Sequence, residues 1–139
     1  VELRHTEYSP PETDTDRSSR EPVLILHGLL GSKRNFVSLA SSLSAQLRRP
    51  RRVLTLDLRN HGDNGHDWRP DMSYPSMARD VLSAMDRMGI DRAVLVGHSM
   101  GGKVAAAAAL LDPDRISGLV VLDIAPVRYE PGRDEAWGA

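Results

Sequence analysis

The sequence predicts a single α/β domain, with three layers built around a parallel sheet. Three observations carry that expectation. Short, continuously apolar runs recur along the chain, as in strands covered on both faces by helices. Longer segments with apolar residues at helical spacing separate them. The length, 139 residues, is close to the commonest size of one domain.

The elements follow in order. Val1–Tyr8 loosely alternates apolar and polar residues, as a half-exposed strand would. Residues 9–21 are polar, charged and rich in Pro, Ser and Thr, and read as an exposed loop. Val23–Leu26 is the first continuous apolar run. Residues 35–49 carry Phe36, Leu39, Ala40, Leu43 and Leu47 at helical spacing. Val53–Leu58 is the next strand-like run. Residues 76–88 repeat the helical pattern through Met77, Val81, Ala84, Met85 and Met88, with Ser73 as the cap and Pro75 in the first turn. Ala93–Val96 predicts a third strand. Met100–Leu111 is Ala-rich and strongly helical, limited by Pro113. Gly118–Ile124 predicts a fourth strand. Right-handed crossovers then give β-α-β-α-β-α-β and a parallel sheet.

Composition narrows the function classes. Leu, Ile, Val and Phe make up about 24% of the chain, above the level at which disorder is the default. A net charge of −1 supplies no field to gather nucleic acid, so no nucleic-acid partner is expected. There is no Cys, which excludes disulfides, Cys-based zinc sites and a cysteine nucleophile. No metal-ligand motif is present, and neither metal nor organic cofactor is expected. No apolar run approaches the roughly 18 residues of a transmembrane segment.

The third strand runs into Gly97-His98-Ser99-Met100-Gly101, and a helix follows at once. This is G-x-S-x-G in a strand–turn–helix context. There a serine sits on a sharp turn with its hydroxyl raised above the sheet. Gly97 and Gly101 remove side chains that would collide across so tight a turn. The helix N-terminus brings N–H groups and a favourable dipole toward developing negative charge. Ser99 is therefore the candidate nucleophile. Met100 N–H is one candidate oxyanion donor. The loop after the first strand, His27-Gly28-Leu29, offers Leu29 N–H as the other. His27 reads as a loop brace and Lys103 as the partner of a carboxylate. Asp57, Arg59, Asn60 and His61 end the second strand on the same rim as Ser99, where His61 either lines the entrance or scaffolds the loop.

With these residues in place the chain resembles the α/β-hydrolase-fold serine hydrolases. More narrowly, it is similar to the small acyl esterases shared by bacteria and mitochondria. The segments that carry the resemblance are LHGLLGSKRNF (26–36), LTLDLRNHGDN (54–64), DMSYPSMARDV (71–81), LVGHSMGGKVA (95–105) and LVVLDIAPVRY (119–129). One departure is local: Asn64-Gly65-His66 stands where the family has Ser-Pro-His. The resemblance implies the N-terminal half of the fold, without its cap and C-terminal strands. Residues 22–129 would be its core and 130–139 the start of the cap region. It implies a small-molecule ester or thioester substrate, and a mitochondrial or cytoplasmic location.

The triad is incomplete. In this fold the order along the chain is Ser, acid, His. All five histidines, His5, His27, His61, His66 and His98, precede Ser99. Either the chain is the N-terminal part of a longer enzyme whose His lies beyond it, or it is an inactive scaffold that serves as a binding module. The acid is open as well. Asp123, at the end of the fourth strand, takes that role in some members; others use an Asp after the next strand. Asp123 otherwise caps the Ala125-Pro126 turn.

Overall fold

A computed structural model describes residues 1–10 and 20–124. Its centre is a five-stranded sheet of β1 (His5–Tyr8), β2 (Val23–Leu26), β3 (Val53–Leu56), β4 (Ala93–His98) and β5 (Ile116–Leu122), in spatial order β1-β3-β2-β4-β5. β2, β3, β4 and β5 pair in parallel, and β1 closes one edge antiparallel to β3. Three helices connect the strands: α1 (Val37–Gln46), α2 (Tyr74–Arg87) and α3 (Met100–Leu111).

The three layers follow from the period of two along each strand. Leu24, Leu26, Leu54, Leu56 and Leu95 point to one face, where Met77, Val81 and Met85 of α2 and Val104, Ala105 and Ala108 of α3 cover them. Val23, Ile25, Val53 and Val96 point to the other, against Ala40 and Leu43 of α1 and Phe36 just before it. Every residue of β2 and β3 is buried, as continuous apolar runs require. Burial of such a side chain contributes about 1.5–3 kcal/mol, which makes the central strands a main contributor to this sheet's hydrophobic stabilisation.

Several boundaries differ from the sequence expectation, each for a local reason. β5 begins at Ile116, not Gly118. An irregularity against Ala93/Val94 leaves Ser117 without a partner, and the small polar Ser117-Gly118 pair hides the strand start. β5 also ends at Leu122, so Asp123 and Ile124 lie beyond it. β3 ends at Leu56, although Asp57 and Leu58 stay fully buried. The segment before α1 is a 3-10 turn over Lys33–Phe36, held by a capping box in which Ser32 and Asn35 exchange hydrogen bonds. Ser73 occupies the N-cap position of α2, but its side chain does not cap. Asp71 instead braces the chain into the helix: Oδ1 accepts from Ser73 N–H at 2.8 Å and Oδ2 accepts from the Ser76 hydroxyl.

The N-terminal loop is less exposed at its ends than the sequence implies. Pro10 is buried and Arg20 and Glu21 are half-buried, while 11–19 lie outside the described residues. So do 125–139, which include the expected cap region and the Ala125-Pro126 turn. Among the described residues β5 is an edge strand, and Leu119, Val120, Val121 and Leu122 are 36–44% exposed.

Candidate active site

The turn between β4 and α3 is forced by what its residues lack. Ser99, the N-cap of α3, has φ +51° and ψ −118°. That is a backbone conformation costing of order 1–3 kcal/mol for a residue with a side chain. A Cβ on Gly97 would stand against the Gly101 carbonyl, 2.6 Å from Gly102 Cα. One on Gly101 would stand 2.5 Å from the His27 carbonyl oxygen. The strand end, the helix start and the end of β2 therefore touch backbone to backbone. Ser99 N–H donates to Leu122 O at 2.9 Å, and Ser99 O accepts from Gly102 N–H at 2.9 Å. Its side chain makes no capping hydrogen bond.

The loop after β2 comes up beside this serine. A Cβ on Gly28 would lie 3.3 Å from Ser99 Cβ and 2.8 Å from His98 Nδ1. Gly31 N–H donates to Gly28 O at 3.0 Å, closing a tight turn with Leu29 and Leu30 at its tip. Leu30 has φ +62° and is 92% exposed, and Leu29 is also exposed. The structure thus brings Leu29, Ser99 and Met100, the first residue of α3, to one rim at the ends of β2 and β4. A cavity of about 340 Å³ opens there between His98, Phe36, Asn35 and the 27–31 turn. Phe36 meets the His98 ring edge-on, with centroids 6.1 Å apart.

Asp123 reaches the same rim from β5. It has φ +54°, and its side chain is exposed. Its Oδ2 lies 3.7 Å from His98 Nε2. No other histidine among the described residues stands near it in an ion pair. His27 is buried: Nδ1–H donates to Gly28 O at 2.8 Å, while Nε2 accepts from Leu58 N–H at 3.0 Å. Burial pushes its pKa down, so it is a neutral brace between two loops. His61 packs beside it, with ring centroids 5.1 Å apart, and hydrogen-bonds Arg59 O at 2.8 Å. Arg59 pairs with Asp80 at 2.6 Å. Lys103 lies with its ammonium 5.9 Å from the Tyr74 ring centroid.

One pairing was not anticipated from the sequence. Asp57, fully buried past β3, accepts from Lys33 N–H at 2.7 Å, from Lys33 Nζ at 2.5 Å and from Asp63 N–H at 3.0 Å. Lys33 Nζ also pairs with Asp63. Burial alone would raise the Asp57 pKa, but these donors outweigh it and hold it below the usual carboxylate range. Lys33 is raised in turn: burial disfavours its charge, and the two carboxylates more than restore it.

Comparison with known proteins agrees with this geometry. A family model described as α/β hydrolase fold matches residues 21–138. The sn-1-specific diacylglycerol lipase ABHD11 of Mus musculus is 51% identical over 110 residues, covering 79% of this chain and 34% of the lipase. Esterase YbfF of Escherichia coli (strain K12) is 40% identical over 129 residues, covering 92% of this chain and 48% of the esterase. A solved structure of a marine microorganism esterase superimposes with a TM-score of 0.79 at 36% identity, covering 94% of this chain and 44% of its own. The chain thus spans between a third and a half of the length of these relatives. Among the described residues no helix is long and apolar enough to cross a membrane. By the family match, the strained serine turn and the sheet beneath it, this chain belongs to the α/β-hydrolase fold family.

Proposed function

We propose that the protein at its natural length is a serine hydrolase that cleaves carboxylic esters or thioesters through an acyl-enzyme on Ser99. The observation that carries this is the backbone of Ser99. A serine held at φ +51° between backbone contacts that admit only glycine at 97 and 101 is a costly arrangement, and such strain concentrates where a reactive side chain must be presented. The named esterases and lipases among its relatives support the substrate class.

The chemistry divides as follows. Ser99 Oγ attacks the acyl carbonyl carbon, and the Leu29 and Met100 N–H groups hold the oxygen that becomes negative. A histidine from outside this sequence takes the Ser99 proton and delivers it to the leaving alcohol or thiol as the C–O or C–S bond breaks. Asp123 orients and stabilises that histidine, now imidazolium, across the rim. Water then attacks the acyl group, its proton passes to the same histidine, and Ser99 Oγ leaves with that proton. The oxyanion donors are worth about 3–4 kcal/mol each where such a donor has been removed.

The alternative from the sequence analysis is a catalytically inactive scaffold that binds a ligand or protein. Burst kinetics separate the two. With p-nitrophenyl esters, the enzyme reading expects a stoichiometric burst of nitrophenol. It expects Ser99→Ala to cut turnover on the order of 10⁴–10⁶-fold. Absence of both burst and turnover supports the scaffold.

A further inference from the structure

The turn that carries Leu29 is held at both ends by one short piece of chain. At its start, His27 ties the Gly28 carbonyl to the Leu58 amide through its two ring nitrogens. At its exit, Lys33 is fastened to Asp57 twice, by its backbone N–H at 2.7 Å and by its ammonium at 2.5 Å. The 3-10 turn Gly62–Asn64 seals the cluster: Gly62 has φ +51°, and a Cβ there would run into the Asp57 carboxylate. Asp63 closes it from outside by pairing with the same ammonium. Asp57 is fully buried and Lys33 nearly so.

Burying an ion pair is a poor route to stability, because desolvation offsets most of the attraction. What the pair supplies is direction. The two Asp57 oxygens receive one main-chain and one side-chain donor from the same residue, which fixes both the position and the orientation of the chain leaving the turn. The turn itself has no internal rigidity beyond one hydrogen bond, Gly31 N–H to Gly28 O, and its tip is solvent-exposed with Leu30 at φ +62°. We infer that Asp57, acting through Lys33, is a positioning residue that aims the Leu29 amide at the oxygen of a substrate held by Ser99. This rests on the reading of Leu29 as an oxyanion donor. A displacement of about 1 Å at such a site costs on the order of 100-fold in rate.

The test compares the natural-length protein with its Asp57→Asn and Lys33→Met variants. It measures kcat and KM on p-nitrophenyl butyrate together with amide hydrogen exchange. Both variants should lower kcat about 10- to 100-fold while KM stays within about twofold, since an oxyanion donor acts in the transition state and not on bound substrate. Amides of residues 28–36 should exchange about tenfold faster, with those of α2 and α3 unchanged, because only a local opening is released. Asp57→Asn keeps the side-chain shape, and it carries the test where Lys33→Met fails to fold. Unaltered exchange over 28–36, or acceleration shared equally by α2 and α3, overturns the clamp. A kcat within twofold of the parent overturns its catalytic consequence. A parent protein without Ser99-dependent turnover instead removes the hydrolase reading, while the exchange data still decide whether Asp57 orders the turn.

Discussion

Replacing Ser99 with glycine should make the protein more stable while abolishing its chemistry. Ser99 sits at φ +51°, ψ −118°, a region that costs a residue with a Cβ about 1–3 kcal/mol. Glycine adopts it without that cost but loses about 0.5–1 kcal/mol through the greater freedom of the unfolded chain. The side chain offers no capping hydrogen bond to lose. The balance is a gain of about 1 kcal/mol. Alanine at the same position removes the hydroxyl but keeps the Cβ and the strain, so Ser99→Ala is the control. For a domain of 150–250 residues 1 kcal/mol corresponds to roughly 2–4 °C in Tm. Differential scanning calorimetry of the three natural-length proteins measures the difference directly. The expected order is glycine above alanine, with alanine close to the parent. A glycine variant melting below the alanine variant would show that the turn stores no strain at Ser99.

Other perturbations follow from the same geometry. Gly97→Ala places a methyl group 2.6 Å from Gly102 Cα; overpacking of this kind costs about 1–3 kcal/mol, and the displaced elbow should lose most ester turnover, read as a lower Tm and a lower kcat. Asp57 has a folded-state pKa below its unfolded value, so its contribution to stability is present above about pH 4 and is lost as pH falls toward the folded value. Lys33 has the opposite sign: its raised pKa keeps its contribution below the unfolded value near 10.5 and loses it as pH rises beyond. Urea midpoints across pH should therefore show a plateau bounded on both sides, and Asp57→Asn should flatten the acid limb. Residues 1–139 expressed alone should aggregate, because β5 is an edge strand among the described residues and exposes Leu119, Val120, Val121 and Leu122. A soluble monomer of that length with a cooperative melt would contradict this.

The sequence disclosed the central sheet because its strands are buried on both faces. Val23–Leu26 and Val53–Leu56 are continuous apolar runs, a pattern hard to mistake when helical periods separate them. The edges were harder to read. β5 starts at an irregularity occupied by Ser117 and Gly118, neither of which has strand character. Ser73 sits at the N-cap of α2 without capping it, and Asp71, two residues before, braces the entry through Ser73 N–H and the Ser76 hydroxyl. At the site, Gly97-His98-Ser99-Met100-Gly101 was legible since steric limits of a tight turn write themselves as glycines. Leu30 at φ +62° was not, since nothing about leucine signals a left-handed backbone. The Lys33–Asp57 pair spans 24 positions. Charges so far apart have no local period, and only the fold brings them together.

The measurement closest to the central claim is peptide mapping by mass spectrometry after a fluorophosphonate has reacted with the natural-length protein. One adduct, on the peptide containing Ser99 and lost in Ser99→Ala, is the expected result, since a phosphonate traps only a serine that is both exposed on its turn and deprotonated by a base. An adduct on another residue, or labelling that survives Ser99→Ala undiminished, would contradict the account.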